Sequence, residues 1–265
     1  MASAGLAAAA QAFDSIAGDF DQRFSAWRSV GAQRRAVRTA LINAFPAGSR
    51  LIEIGGGTGE DALWLTGQGR AVLLTDASPA MVSEASHKGV RSTVAAAEDF
   101  GNLADDLSAE PSFDGAYSVF APLNCVADLR PFAEGIARLL RPGSPLMLVM
   151  FGTCCPGEMI VETLRGRPRD ALRRLSRGDV PARLDGREFS VRYHRRADLE
   201  HTLSPWFMLK SRRGVGIFVP PSAAEPWISR HPALLSALEK LDRFAARPLS
   251  FFGDHVLYRF ERTAA

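Results

Sequence analysis

The chain has 265 residues and a formal net charge of +3, and 46% of its residues are hydrophobic and 23% charged. These values fit one large α/β domain with an insertion, and they exclude a disordered chain. The longest apolar run, Pro145 to Cys155, is too short to span a membrane. The charge is only mildly basic and no basic helix accompanies it, so nucleic acid binding is not expected.

The three cysteines are odd in number and do not follow a metal-ligand spacing, which argues against a disulfide framework or a zinc site. No basic residue precedes Arg23, so the start lacks the charged region of a secretory or transit peptide. We therefore expect a cytoplasmic protein without a metal site.

The first predicted elements are helical. Between residues 11 and 46, apolar side chains recur at helical spacing at Val37, Leu41 and Ala44, and Pro46 marks the exit. Phe13 and Phe20 lie ahead of this pattern.

A glycine-rich turn follows the first predicted strand. Leu51, Ile52 and Ile54 form a short apolar run that breaks into Gly-Gly-Gly-Thr-Gly, and a helical segment begins at Asp61. Glycine allows a tight turn and a close approach of backbone to a ligand, and the N-terminus of the next helix adds its amide groups. Glu60 stands where a dinucleotide fingerprint requires its third glycine.

The second predicted strand, residues 71–75, leads to Asp76, nineteen residues after Gly57. A carboxylate at this strand tip can accept both hydroxyl groups of a ribose. The alternative is that the glycines only close a turn and Asp76 only caps the next helix.

Strand and helix continue to alternate along the chain. Strands are predicted at residues 91–96, 116–120 and 145–151, and Asp128 can cap the helix before the last of them. The alternation predicts a parallel sheet with ligands beyond the carboxyl ends of its strands.

Glu53 with Gly55, Gly57 and Gly59, followed by Asp76-Ala-Ser-Pro-Ala-Met, resembles the first two motifs of the class I S-adenosylmethionine-dependent methyltransferases. The segments 95–100, 121–129 and 140–143 resemble later motifs, so the likeness covers residues 13–153. It implies a Rossmann-like fold: a seven-stranded, mostly parallel sheet of order 3-2-1-4-5-7-6, helices on both faces, and S-adenosylmethionine as cofactor.

The resemblance also implies a set of cofactor-binding residues: Phe13, Phe20, Glu53, Gly55, Gly56, Gly57, Asp76, Ala77, Met81, Ala97, Glu98, Asp99, Phe120 and Ala121. The family often has tyrosine where this chain has Phe13 and Phe20, which leaves a cation–π contact to the sulfonium; alternatively these rings only pin the cap to the core. Ala96 replaces the usual adenine-binding aspartate, so Glu98 or Asp99 is expected to make that contact, unless both are solvated loop acids.

After the fifth strand the chain leaves the family pattern. Helices are predicted around residues 158–164 and 169–175, and a strand at residues 187–193. Between Arg165 and Arg196 there are eleven arginines and four acidic residues. This is either a solvated face or a lid that attracts an anionic acceptor. Tyr193 and His194 are the candidates for catalysis and, with Asn124, for substrate binding, although each histidine is also explained by a structural role.

After residue 196 the sequence pattern predicts a crossover helix at 197–203, a strand at 206–218, an inserted helix at 232–245 and a final strand at 254–260. We expect an N-terminal helical cap (1–46), a cofactor-binding core (47–153), a lid (154–196) and a C-terminal part of the core (197–265). The leading interpretation is methyl transfer to an O or N atom of a small molecule, with anionic and natural-product acceptors included. The alternatives are a non-catalytic module that binds S-adenosylmethionine and an NAD-type oxidoreductase.

Overall fold

The computed structural model describes residues 4–25 and 27–264. The strands are β1 Arg50–Ile54, β2 Ala71–Asp76, β3 Ser92–Val94, β4 Gly115–Ser118, β5 Pro145–Phe151, β6 Asp179–Leu184, β7 Arg187–Arg192, β8 Phe207–Val215 and β9 His255–Arg262. The helices are α1 Ala4–Asp14, α2 Phe20–Ser25, α3 Arg28–Ala44, α4 Glu60–Gly67, α5 Pro79–His87, α6 Phe100–Asp106, α7 Arg130–Leu139, α8 Pro156–Leu164, α9 Pro168–Leu172, α10 Arg196–Leu203 and α11 Pro232–Ala245.

Seven of the strands form one sheet, in the order β3-β2-β1-β4-β5-β9-β8. Strands β1 to β5 pair in parallel, and β9 runs antiparallel to both of its neighbours. Counted among the strands of this sheet alone, the order is 3-2-1-4-5-7-6, which confirms the predicted fold class.

Two apolar cores hold the sheet between layers of helices. Alternate residues of each strand face opposite sides, so Ile52 and Ile54 pack with α6, α7 and α10, while Leu51 packs with α3, α4 and α5. A fully buried Leu, Ile or Phe side chain contributes about 1.5 to 3 kcal/mol. These two cores hold β1, β2, β4 and β5 in place, so the residues at the carboxyl ends of these strands have fixed positions.

The lid segment contains one strand that the sequence pattern did not predict. β6 pairs antiparallel with β7 as a separate hairpin, with Val180 opposite Val191. Pro181 lies inside β6, and a proline weakens a strand prediction because it cannot donate a ladder hydrogen bond. The predicted sixth strand also ends earlier, at Val215, because Gly216 turns the chain with a φ of 69°.

The cap and the hairpin meet above the carboxyl edge of the sheet. The Phe13 ring of α1 lies 6.0 Å from the Phe189 ring of β7, between centroids, and 6.3 Å from the Phe20 ring. Leu184 of β6 packs against the apolar cluster of Ile16 and Met81. Two segments far apart in sequence thus close over one region.

Among residues 4–25 and 27–264, no helix has both the length and the hydropathy of a membrane span.

Candidate active site

The turn between β1 and α4 is shaped by glycines. Gly55, Gly57 and Gly59 have φ values of 66°, 56° and 81°, a region that other residues rarely adopt. A Cβ atom at position 55 would lie 2.3 Å from the Cβ of Pro122, so the turn approaches the loop after β4 too closely for a side chain. A Cβ at position 57 would meet only the Met81 sulfur, at 3.9 Å. The turn therefore leaves open space beside Gly57.

Asp76 is fixed at the end of β2 by two backbone amides. Its Oδ2 accepts a hydrogen bond from the Gly57 amide at 2.8 Å, and its Oδ1 accepts one from the Ser78 amide at 2.9 Å. Burial raises the pKa of this carboxyl, while the amides of Ser78 and Gly57 act in the opposite direction. A carboxylate has about four acceptor positions, so Asp76 can accept further hydrogen bonds from a ligand.

Glu53 is a buried carboxylate without a hydrogen-bond partner in the described chain. Its side chain is 1% exposed, and neither Oε atom is bonded. Burial raises the pKa of Glu53 well above its usual value, and the charge of Asp61 adds to this effect. The buried Tyr117 hydroxyl is a potential donor to Glu53 and lowers the pKa of the carboxyl, but the two groups do not meet in hydrogen-bond geometry. Buried polar groups are almost always bonded, so an unpaired one calls for a donor from a ligand.

These groups line one cavity of about 330 Å³ at the carboxyl ends of β1, β2 and β4. The structure brings twelve of the predicted cofactor-binding residues into its wall: Phe13, Phe20, Glu53, Gly55, Gly56, Gly57, Asp76, Ala77, Met81, Ala97, Phe120 and Ala121. Glu98 and Asp99 do not line it. Asp99 faces a neighbouring pocket beyond Ala95, so the structure does not support an adenine contact from either acid.

The cap is fastened to the site by polar contacts that no sequence motif indicated. Asp14 of α1 accepts hydrogen bonds from the Ser78 hydroxyl at 2.6 Å and the Ala80 amide at 3.0 Å. The Thr58 hydroxyl donates to Asp21 at 2.5 Å. The cap is thus anchored to the N-terminus of α5 and to the glycine turn.

The loop after β4 has an unusual backbone at the cavity wall. Phe120 and Ala121 have φ values of 60° and 70°, and a non-glycine residue in this region costs about 1 to 3 kcal/mol. The Ala121 amide donates to the Val149 carbonyl at 2.9 Å, and the Arg34 guanidinium lies 5.3 Å from the centre of the Phe120 ring. Such strain persists where the surrounding structure holds it, and it is frequent at functional sites.

The opposite half of the cavity is mainly apolar and aromatic. Its wall includes Phe151, Phe189 and Tyr193. Burial raises the pKa of the Cys125 thiol to about 12, and burial also raises the pKa of the Tyr193 hydroxyl. Both groups are protonated at neutral pH. Among the described residues, no histidine lines the cavity, so this half presents no general base.

Asn124 and His194, expected to contact substrate, lie behind the wall. The Asn124 amide donates to the Arg192 carbonyl at 2.6 Å and accepts from the Phe151 amide at 3.0 Å. His194 Nε2 is 3.0 Å from the Val126 carbonyl, and burial lowers the pKa of the ring. Adjacent residues of an extended chain face opposite sides, so Tyr193 lines the cavity while His194 does not. The assignment of Asn124 and His194 to substrate is corrected to a structural role.

Several lining residues were missed by sequence reasoning. They are Arg34, Asp61, Phe151, Arg173, Phe189 and Val191. The alternation of Phe189, Val191 and Tyr193 in a predicted strand could have indicated that they share one face. Phe151 ends β5 and so lies at the same edge as the glycine turn. Arg34 and Arg173 carried no local signal.

The sheet order is that of the class I S-adenosylmethionine-dependent methyltransferases. The glycine turn after β1, the carboxylate at the end of β2 and the cavity across both strand ends fit the cofactor site expected from the resemblance. Residues 51–143 match the family model described as a methyltransferase domain. Over these residues the chain is a methyltransferase domain, for which S-adenosylmethionine is the cofactor.

Solved structures of this class have the same fold. A methyltransferase from Methanosarcina mazei is 18% identical, with 84% of this chain and 96% of that chain covered and a TM-score of 0.54. One from Mesorhizobium loti is 20% identical, with 84% and 96% covered and a TM-score of 0.51. Geranyl diphosphate C-methyltransferase from Streptomyces coelicolor, solved with Mg²⁺, geranyl diphosphate and S-adenosyl-L-homocysteine, is 14% identical, with 87% and 79% covered and a TM-score of 0.51. No curated protein matches the chain.

Proposed function

We propose that the enzyme transfers a methyl group to an O or N atom of a small-molecule acceptor inside this cavity. The observation that carries the proposal is the closure of the cavity by both the cap and the hairpin, where the rings of Phe13 and Phe189 lie 6.0 Å apart. A cavity of about 330 Å³ is within the range of small-molecule sites. A macromolecular acceptor would require these two segments to separate.

The residues on the β1 and β2 side fit the nucleoside part of the cofactor. Asp76 would accept the two ribose hydroxyl groups with its free lone pairs, and Ala77, Met81 and Ala97 would pack against the adenine. The open space beside Gly57 is where the chain of the cofactor would pass the turn.

The charged residues at the cavity floor fit the amino-acid end of the cofactor. The unpaired Glu53 would accept hydrogen bonds from its ammonium group. Arg34 lines the same cavity and pairs with Glu60 and Asp61; its Nε lies 3.6 Å from Asp61 Oδ2, too far for a hydrogen bond. Arg34 would face the carboxylate group of the cofactor.

When bound, S-adenosylmethionine supplies an electrophilic methyl group on a sulfonium. The rings of Phe120 and Phe151 would exclude water from the reacting atoms, and an aromatic face stabilises a nearby cation. The protein mainly contributes alignment of acceptor and cofactor. Because Cys125 and Tyr193 stay protonated, the acceptor brings its own lone pair, and any proton that it loses passes to solvent.

We propose that the lid, residues 154–196, selects the acceptor. Val191, Phe189 and Tyr193 supply one wall of the acceptor half, whereas Asp76 and the glycine turn lie on the other side of the cavity. Changes in the lid should therefore alter the use of an acceptor more than the binding of the cofactor.

The test of the cofactor site is calorimetric titration of S-adenosylhomocysteine into Asp76→Ala, with Asp170→Ala on the exposed surface as control. Loss of charge-assisted hydrogen bonds of about 1.5 to 3 kcal/mol should weaken binding about ten- to hundredfold. The control should bind as the wild type does. Equal affinity of Asp76→Ala and wild type would refute the assignment. Formation of S-adenosylhomocysteine and a methylated product with a panel of small acceptors then tests the activity.

A further inference from the structure

The positive charge of the lid reaches the cavity at one place. Of the eleven arginines between residues 165 and 196, Arg173 is the one in the cavity wall of the described chain. Others are paired at the surface: Arg192 with Asp179 at 2.8 Å, and Arg196 with Glu200 at 3.1 Å. The lid is thus a face of local ion pairs, and its contribution to the acceptor site depends on Arg173.

Arg173 is held by a buried network. Its Nε donates to Glu158 Oε1 at 2.8 Å. The other oxygen of Glu158 pairs with Arg174, and Arg174 also donates to Asp254 Oδ1 at 2.7 Å. Glu158, Arg174 and Asp254 have side chains 5%, 7% and 7% exposed. A guanidinium held through Nε in this way has a defined orientation.

The two Nη groups of Arg173 have no hydrogen-bond partner in the part of the chain that the structure describes, although its Nε is bonded. The network contains two arginines and two carboxylates, so as a whole it carries no net charge. Arg173 therefore offers a set of oriented donors in the cavity wall, and its side chain is 42% exposed. Paired guanidinium N–H groups match the two oxygens of a carboxylate.

The cavity wall that includes Arg173 and Phe120 also contains the rings of Phe151 and Tyr193, and the His255 ring packs against Phe151 and Phe120 outside the lining. Phe151 lies 5.9 Å from Tyr193 and 5.0 Å from His255, and His255 lies 5.6 Å from Phe120, between centroids. Arg174 lies behind these rings, 5.3 Å from the centre of Phe151. The rings that do line the cavity, Phe120, Phe151 and Tyr193, favour a planar apolar ligand, since stacked or edge-on aromatic pairs add to the burial of their area.

We propose that the acceptor is a planar aromatic carboxylic acid whose carboxylate binds the Nη groups of Arg173 and whose methylated atom lies at the other end, against Phe120. This inference rests on the proposed function and adds the class of the acceptor. The lone pair of the acceptor O or N atom forms the bond to the methyl carbon. The carbon–sulfur bond breaks, its electron pair remains on sulfur as S-adenosylhomocysteine, and the acceptor proton passes to water. The methyl group goes to this O or N atom and not to an oxygen of the carboxylate.

The test uses a panel of one- and two-ring aromatic carboxylates that carry a hydroxyl or amino group, each with its primary carboxamide. Binding is measured by calorimetry to wild type in the presence of saturating S-adenosylhomocysteine. At least one carboxylate should bind about tenfold or more tightly than its amide. Arg173→Gln should lose about ten- to hundredfold in affinity for that carboxylate and little for the amide. Arg173→Lys should lose less, because it keeps the charge but not the paired donors.

Arg169→Gln, an exposed lid arginine outside the cavity, is the matched control and should bind like wild type. Melting curves show whether Arg173→Gln is folded, and Arg173→Lys serves if it is not. If no carboxylate binds, or if carboxylate and amide bind alike to wild type and variant, the acceptor class is wrong while the cofactor site stands. If S-adenosylhomocysteine itself does not bind the wild type, the proposed function fails first, and these two failures are separated by the titration without acceptor.

Discussion

The unpaired carboxylate of Glu53 should make the free enzyme less stable and the cofactor complex tighter. We expect Glu53→Gln to raise the melting temperature of the protein without cofactor and to weaken the binding of S-adenosylmethionine. The first effect follows because a neutral amide is less costly to bury than a carboxylate without donors. The second follows because the amide removes the charge that would face the cofactor's ammonium group.

The magnitude follows from the burial. A buried polar group without a partner costs about 1 to 3 kcal/mol. Recovering about 1 to 2 kcal/mol of this should raise the melting temperature by about 2 to 8 °C for a chain of this size. Loss of a charge-assisted hydrogen bond of about 1.5 to 3 kcal/mol should weaken the cofactor about ten- to hundredfold.

The pH dependence gives a stricter test of the same variant. The folded-state pKa of Glu53 lies above its unfolded value, so the folded state holds the proton more tightly. Below the unfolded value of about 4.3 the carboxyl is neutral in both states and the variant should have little advantage. The advantage should grow as the pH rises from the unfolded value towards the folded pKa and should be complete above the folded pKa.

Differential scanning calorimetry of both proteins from pH 4 to pH 8 measures this, with titration of S-adenosylmethionine at neutral pH. Glu134→Gln, at an exposed position of α7, is the control and should change neither quantity. A variant that melts below wild type at pH 8, or that binds the cofactor with unchanged affinity, would contradict the reasoning.

Two further predictions concern the glycine turn and the half-buried Cys125 thiol. Gly57→Ala should weaken S-adenosylhomocysteine binding by about tenfold or more in calorimetric titration, because the added methyl group enters the open space of the cavity. The control is Gly48→Ala, since Gly48 also has a positive φ, 86° against 56° for Gly57. This control should lose stability but bind as the wild type does. Cys125 should react with iodoacetamide at pH 8 about a thousandfold more slowly than a free thiol, since a pKa of about 12 leaves little thiolate; mass spectrometry of rapid labelling at this residue would contradict the buried environment.

The local chemistry of the sequence predicted the frame of the site. A short apolar run, glycines that need positive φ and a carboxylate at the next strand tip depend on neighbouring residues. Glu53, Gly57 and Asp76 were predicted in this way, and all three line the cavity. The alternation of strands and helices, with the family resemblance, also predicted the sheet order.

The part of the cavity wall that contains Arg173 was decided by the tertiary structure. Eleven lid arginines look alike in the sequence, and Arg173 differs from them because Glu158 and Arg174 hold it at the cavity. The network depends on Asp254, eighty residues after Arg174. His194 was misassigned for the same physical reason. Which side of an extended segment faces a cavity depends on what packs against it, and those partners are distant in the chain.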